Sequence, residues 1–170
     1  GLDMKAWFKG LRDGKAFVST GPIVELTVNH SIPGETISLP AGGSTVRIEG
    51  HVQSITPLSK VTLMFNGKMV EEIALDANRK TASFNKSYSV RQSGWYHLRA
   101  EGDASERFPL DTNFAQAFTN PIWVIVGDAP VRSREAAEYS IRWIDKLRGM
   151  AEDWPGWRSQ KEKDHVFAQF

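Results

Sequence analysis

Hydrophobic residues recur with a period of two in short stretches between residues 16 and 126, and this period decides the fold class. Successive side chains of a β-strand point to opposite faces of a sheet, so alternating apolar residues predict a strand with one buried face. The inward residues predicted in this way are Val24, Leu26 and Val28, then Val46, Ile48 and Val52, then Val61, Leu63 and Phe65, then Phe84 and Tyr88, and finally Tyr96, Leu98 and Ala100. The pattern predicts a mainly β fold.

Turn signals separate these stretches. Residues 29–34 and 40–44 are rich in Asn, Pro and Gly, and Asn66-Gly67 is the dipeptide that type I′ hairpin turns favour because both central residues need positive φ. The nearly unbroken apolar run over residues 121–126 predicts a strand buried on both faces. Strands at this spacing predict an immunoglobulin-like antiparallel β-sandwich of about seven to nine strands.

Helical patterns flank the predicted sandwich. Asp3 can cap a helix whose apolar residues are Met4, Trp7, Phe8 and Leu11, and Gly14 ends it. We expect this helix to pack on the sandwich. After a cap at Ser133, helical spacing relates Ala137, Ser140, Ile144, Leu147, Ala151 and Trp154, and a last helix follows Ser159. The predicted organisation is therefore a helix over residues 1–14, a sandwich over 15–128 and a helical extension over 129–170.

Composition excludes several classes of function. The 170 residues include 21 basic and 20 acidic side chains, and a net charge of +1 gives no electrostatic reason to expect nucleic acid or an anionic membrane as a partner. No apolar run approaches the roughly 20 residues of a membrane-spanning helix, and no signal peptide is visible. The absence of cysteine excludes disulfides and thiolate zinc sites, while extracytoplasmic and cytoplasmic locations both stay open.

One stretch carries a family resemblance. Residues 11–22 read Leu-Arg-Asp-Gly-Lys-Ala-Phe-Val-Ser-Thr-Gly-Pro, and segments 61–67, 94–100 and 117–124 follow in matching order. Together they resemble the region after the catalytic domain in PHP-type metal-dependent hydrolases, in particular the CehA/McbA-like group. The resemblance implies a metal-binding barrel upstream of a β-sandwich and helices, with this chain holding the second part without the first. The start at Gly1, close to a helix, fits the expectation that an N-terminal region has been removed.

The resemblance brings no metal site. The family binds metal through a His-x-His pair with further His, Asp and Glu on the barrel, whereas the histidines here, at positions 30, 51, 97 and 165, are far apart and form no such pair. We therefore carry over no catalytic residue, metal or cofactor. Phe118 stands where several relatives have His, so a polar role at that position is not expected.

Trp95, His97 and Arg99 are the candidate ligand-binding residues, because they alternate away from the apolar face of their strand. His97 with Glu101 could form a metal site or an acid–base pair. The alternative is that these side chains belong to an ordinary exposed sheet face, or to a face that docks on the barrel. Trp7, Trp123, Trp143 and Trp154 fall on apolar stripes and are expected in the core or at interdomain contacts. Trp95 departs from this, which keeps carbohydrate binding open.

Weaker motifs are set aside. Asp111-Thr112-Asn113 has too few ligands for Ca²⁺, Gly42-Gly43-Ser44 lacks the Lys of a phosphate loop, and Ser19-Thr20-Gly21-Pro22 is no nucleophile elbow. His51 is expected at an exposed or edge position. The sequence thus predicts a non-catalytic accessory domain of a PHP-type hydrolase, with a carbohydrate-binding sandwich as the alternative and a free-standing enzyme third. Self-association through Trp143, Leu147 and Trp154 is a further expectation.

Overall fold

The computed structural model of the chain describes residues 3–111 and 114–170. The chain forms two compact units, Gly1–Val131 and Arg132–Phe170. The described elements of the first unit are α1 (Met4–Arg12), β1 (Phe17–Ser19), β2 (Ile23–Val28), β3 (Thr36–Leu39), β4 (Ser44–Gln53), β5 (Lys60–Phe65), β6 (Lys68–Glu72), β7 (Thr81–Val90), β8 (Gly94–Glu101), a 3₁₀ turn (Ala104–Glu106), β9 (Gln116–Thr119) and β10 (Ile122–Val126). The second unit contains α2 (Arg134–Glu152) and α3 (Gln160–Phe167).

The strands form two sheets, and the mainly β sandwich is confirmed. Strands β2, β4 and β7 make a three-stranded antiparallel sheet. In the seven-stranded sheet, β8 pairs with β5 along one edge and with both β9 and β10 along the other. Each of these three strands pairs with one further strand: β5 with β6, β9 with β1, and β10 with β3. One pairing, β10 with β3, is parallel. The described residues thus hold ten strands, more than the seven to nine expected, and β3 and β9 were not predicted.

The core lies between the two sheets and is built from the predicted inward residues. Val24, Leu26, Ile48, Leu63 and Leu98 all have exposed fractions of 2% or less. The tight turn between β5 and β6 is also confirmed: Asn66 and Gly67 have φ of 50° and 75°, the positive values that a type I′ turn needs.

Strand β10 is not buried on both faces, so that expectation was wrong. Ile122, Val124 and Val126 are buried, but Trp123 between them is 36% exposed. The three buried side chains point toward the core, whereas Trp123 points outward. The strand looks uniformly apolar because the outer face of its sheet is itself apolar.

The structure confirms that residues Met4–Arg12 form helix α1, but it does not show the predicted packing of this helix on the sandwich. Asp3 accepts hydrogen bonds from the Lys5 and Ala6 amides at the start, and Gly14 follows the end with φ of 73°. No residue of the helix is buried, and its apolar side chains stay about half exposed. The expectation that α1 packs its apolar face on the sandwich was wrong. The turn at Gly14 ends the helix just before β1, and a cleft of about 400 Å³ separates Trp7 and Leu11 from Phe17.

The second unit is helical, as predicted. The Ser133 and Ser159 hydroxyls cap α2 and α3 by accepting from the Ala136 and Glu162 amides. Between the helices, the Trp157 Nε1–H donates to the Ala151 carbonyl at 3.1 Å. No residue of α2 is buried, and self-association through Trp143, Leu147 and Trp154 stays a prediction. None of the helices in the described ranges has the length and apolar character that crossing a membrane requires.

Candidate functional site

Strand β8 carries the three predicted candidate residues. It lies in the interior of the seven-stranded sheet, where three strands pair with it. Its even-numbered side chains from Tyr96 to Ala100 are buried in the core. Trp95, His97 and Arg99 therefore share the outer face, where each is half-buried. The structure brings these residues together as the alternation predicted, while ligand binding by them stays a prediction.

Neighbouring strands extend this surface on both sides of β8. Cross-strand partners in register place their side chains on the same face of a sheet. Phe118 lies opposite Arg99, Val18 opposite Phe118, Trp123 opposite Trp95, and Met64 opposite His97. We call this surface the aromatic face, and its residues are Val18, Met64, Trp95, His97, Arg99, Phe118 and Trp123. It combines exposed apolar groups with a single arginine.

The sequence analysis missed four residues of this face, which are Val18, Met64, Phe118 and Trp123, and Trp123 is the largest of them. Its ring centroid lies 6.4 Å from that of Trp95 at an interplanar angle of 57°, and the His97 ring lies 5.3 Å from Trp95 on the other side. Three rings thus lie side by side across two strands. The signal was available, since Trp123 alternates with Ile122 and Val124, but the high hydrophobicity of all three residues obscured it.

Arg99 is incompletely satisfied. Its Nη2 donates to Glu101 Oε1 at 2.7 Å on the same strand. Its Nε is buried and, among the described residues, has no hydrogen-bond partner. A buried donor without an acceptor costs about 1–3 kcal/mol. The guanidinium therefore remains a charged donor that a suitably placed acceptor would stabilise if the side chain moved toward it.

His97 is held neutral by its surroundings. Burial lowers its pKa, because the charged imidazolium loses solvation, and the nearby Arg99 cation lowers the pKa further. The ring is therefore uncharged at neutral pH. Glu101, the partner considered for it, is instead bonded to Arg99, so the structure does not form the acid–base pair.

The described part of the chain contains no set of side chains that could ligate a metal ion. No group of three or more His, Asp or Glu side chains there lies close enough to hold an ion. His97 has Met64 and Trp95 as its neighbours on the face, and neither is a ligand that zinc or iron hydrolases use. The aromatic face offers apolar surface, aromatic rings and a hydrogen-bond donor from arginine.

The outer face of the three-stranded sheet has the opposite character. We call it the polar face, and its residues are Glu25, Thr27, Arg47, Glu49, His51, Ser83 and Asn85. Arg47 Nε lies 2.8 Å from both Asn85 Oδ1 and Glu49 Oε1, and the Asn85 amide donates to Glu49 at 3.2 Å. His51 Nδ1 lies 2.8 Å from the Ser83 hydroxyl. His51 is exposed, as predicted, and its polar neighbours satisfy one another.

The remaining motifs form ordinary turns where they are described. Gly43, with φ of 77°, donates its amide to the Pro40 carbonyl in the turn before β4. The Ser19 hydroxyl donates to the Pro22 carbonyl where the chain passes from one sheet to the other. Of the Asp111-Thr112-Asn113 segment, Thr112 and Asn113 lie outside the described residues.

Comparisons with known proteins add one finding. No family model matches the chain, and no curated protein matches it. Among solved structures, the chain is similar to a CARDB domain from Pyrococcus furiosus determined by solution NMR. The two share 16% identity, with a TM-score of 0.38, and the match covers 62% of this chain and 97% of that domain. The strands and sheets of the chain itself form the immunoglobulin-like sandwich.

Proposed function

We propose that the chain is a non-catalytic accessory domain that packs its aromatic face against a PHP-type metal-dependent hydrolase barrel. The observation that carries this proposal is the aromatic face itself. Trp95, Trp123 and Phe118 leave apolar surface exposed on a sheet whose other face already forms the core. Contiguous exposed apolar surface of this kind is typical of interaction sites.

The composition of the face supports a protein partner. Tryptophan and arginine are the residues that most often dominate binding energy at interfaces, where they lie in the desolvated centre. Burying one large apolar side chain contributes roughly 1.5–3 kcal/mol. An acceptor from the partner would also relieve the incomplete hydrogen bonding of Arg99. Apolar burial would supply most of the affinity and Arg99 the specificity.

The position of the family-like segment is consistent with this arrangement. Residues 11–22 resemble the junction that follows the barrel in CehA/McbA-like proteins, and β1 lies within them. Strand β1 contributes Val18 to the edge of the aromatic face through its pairing with Phe118. A barrel attached before α1 would therefore enter at the margin of the proposed docking surface, beside the half-exposed apolar side of α1.

The direct test is whether a separately produced PHP-type barrel of the CehA/McbA-like group binds the isolated chain. We expect a one-to-one complex by calorimetry. Hydrogen exchange should also show residues 140–154, which include most of α2, becoming more protected in a longer chain that includes the barrel. Failure to bind at high micromolar concentration would contradict the accessory role. Equal protection of α2 would contradict its part in docking.

The chemistry of the isolated chain gives a second test. We expect no hydrolysis of phosphoesters or amides with added Zn²⁺, Mn²⁺ or Fe²⁺, since the sequence lacks the His-x-His pair through which the family binds the metal ion that activates water. Turnover that depends on metal and is lost in the His97→Ala variant would overturn the non-catalytic role.

Carbohydrate binding is the second candidate function, and the adjacent Trp95 and Trp123 rings favour it. Two indoles 6.4 Å apart on a sheet surface offer a stacking platform for sugar rings. Soluble glycans would then shift tryptophan fluorescence with one-to-one stoichiometry. We expect a glycan array to remain blank, and a saturable glycan hit lost in Trp95→Ala would replace the accessory proposal.

A further inference from the structure

Strand β2 is an edge strand, and the phase of its hydrogen bonds shows which groups face outward. Its described pairing is with β4 alone. The Asn29 amide donates to the Arg47 carbonyl at 2.8 Å, directly after the last strand pair. In an antiparallel ladder such bonded pairs alternate with unbonded ones. The odd-numbered residues of β2 therefore bond β4, while the N–H and C=O groups of Val24 and Leu26 point away from it.

The turn after β2 confirms this direction. Val28, two residues beyond Leu26, exchanges backbone hydrogen bonds with Ser31 at 3.0 and 2.9 Å, on the side away from β4. No backbone or side-chain bond to the outward groups of Val24 or Leu26 is formed by any residue in the described ranges. Within the described ranges, two donors and two acceptors are therefore unpaired along this edge.

These groups do not lie in open solvent. Val24 and Leu26 are each only 2% exposed, and a cleft of about 340 Å³ runs along them between β2 and the start of β1. The opposite wall includes Ala16, Phe17, Ile32 and Pro33 and is mainly apolar. A buried backbone group without a partner costs about as much as a lost hydrogen bond. The cleft therefore combines apolar walls with a row of unsatisfied backbone groups.

The spacing of those groups defines what would satisfy them. Val24 and Leu26 are two residues apart, about 7 Å along an extended strand. A second extended backbone presents donors and acceptors at the same spacing, and strand addition at a sheet edge is an established mode of peptide recognition. We propose that the cleft beside β2 binds an extended peptide segment of a partner protein, which adds as a fourth strand to the three-stranded sheet.

The walls also predict the sequence of the peptide. Alternate side chains of an added strand would face Phe17 and Ile32, which favours small or β-branched apolar residues at every second position. Lys15 in the cleft is already paired with Glu35 at 3.1 Å. Glu25 forms no ion pair in the part of the chain that the structure describes, so a basic residue in the peptide would complement it. This site is separate from the aromatic face and does not depend on the proposed function.

The test uses the pentapeptide acetyl-Thr-Val-Lys-Val-Thr-amide as probe, with two N-methylated versions. One is methylated at the second and fourth residues and the other at the first, third and fifth, so that each blocks one edge of the strand. We expect saturable one-to-one binding with slower exchange of the Val24 and Leu26 amides. One methylated version should bind at least tenfold more weakly, since it loses two hydrogen bonds of about 1 kcal/mol each, and the other should still bind.

Variants of the protein locate the site. Val24→Pro removes an outward N–H without breaking the ladder to β4, and Ala16→Trp fills the cleft from the opposite wall. Both should lose peptide binding, and His51→Ala on the polar face should retain it. If Val24→Pro fails to fold, peptide binding by Ala16→Trp alone tests the location of the site. Absence of saturable binding at millimolar peptide, equal affinity of the three peptides, or full binding by Ala16→Trp would overturn strand addition.

Discussion

The two sheets of the sandwich share one core, but their outer faces differ in polarity and in how their polar groups are paired. On the polar face, Arg47, Glu49 and Asn85 satisfy one another through hydrogen bonds within about 3 Å. On the aromatic face, Trp123 is exposed and the buried Nε of Arg99 has no partner among the described residues. A surface that meets only water gains from polar groups that pair locally, whereas an apolar surface with an incomplete arginine gains from a partner. This contrast is the basis for proposing the aromatic face as the docking side of the molecule.

The largest effect is expected from the core that both faces share. Leu98 is fully buried beneath the aromatic face, with an exposed fraction of 0%. Leu98→Ala should lower the free energy of unfolding by about 2–5 kcal/mol, because it removes buried methyl groups and leaves a cavity. Urea denaturation measures this change. A loss below about 1 kcal/mol would mean that the two sheets do not pack through β8.

The next prediction separates the faces by binding. The double variant Trp95→Ser and Trp123→Ser should weaken association with the barrel at least 100-fold, since two large apolar contacts would be lost. The matched variant Glu49→Ala and His51→Ala on the polar face should bind as the unmodified chain does. Calorimetry on both variants, after circular dichroism has shown that each is folded, makes the comparison. Equal weakening by the two variants would remove the distinction between the faces.

The sequence predicted the inside of the molecule better than its outside. Alternation found Val24, Ile48 and Leu98 because a strand with one buried face repeats every two residues. It failed at Trp123 because both faces of β10 are apolar, so the alternation disappears from the hydrophobicity pattern. It also missed β3, a four-residue strand whose parallel partner β10 lies far away in the sequence.

Helix α1 also shows that a residue pattern predicts an element but not what packs against it. The spacing of Trp7, Phe8 and Leu11 predicted an apolar helix face, and that face exists. Spacing alone does not specify which surface covers a helix, and the structure leaves this one half exposed. For the candidate site, the pattern placed Trp95, His97 and Arg99 on one face. Trp123, Phe118 and Val18 join them through pairing between strands, which the period along a single strand does not specify.

A smaller difference in stability is expected between variants of two arginines, Arg99 on the aromatic face and Arg47 on the polar face. Arg99→Met keeps the unbranched apolar stem of the side chain. It removes both the bond to Glu101 and the buried Nε donor that has no partner among the described residues, so stability should stay unchanged or rise by up to about 1 kcal/mol. Arg47→Met breaks contacts to Asn85 and Glu49 and should lower stability by about 0.5 kcal/mol. Thermal unfolding in low salt compares the two. A clear loss of stability in Arg99→Met would show that its present bonds already suffice.

The smallest effect concerns pH. Burial and Arg99 lower the pKa of His97 in the folded chain below its ordinary value of 6.5. The unfolded chain therefore binds a proton more readily, so this contribution to stability is complete above about pH 6.5 and is lost as the pH falls through the folded pKa. His97→Gln should flatten this part of the stability–pH curve, whereas His51→Gln on the polar face should leave it in place. An NMR titration midpoint for His97 at or above 6.5 would contradict the cause assigned here.

We propose that the aromatic face, and not the polar face, meets the partner. Hydroxyl-radical footprinting of the isolated chain and of a longer chain that includes the barrel tests it most directly, because it reports the solvent exposure of individual side chains. We predict that labelling of Trp95, Trp123 and Phe118 falls several-fold in the longer chain, while labelling of His51 on the polar face does not change. Unchanged labelling of Trp123 and Phe118, or protection of His51 in their place, would contradict the account.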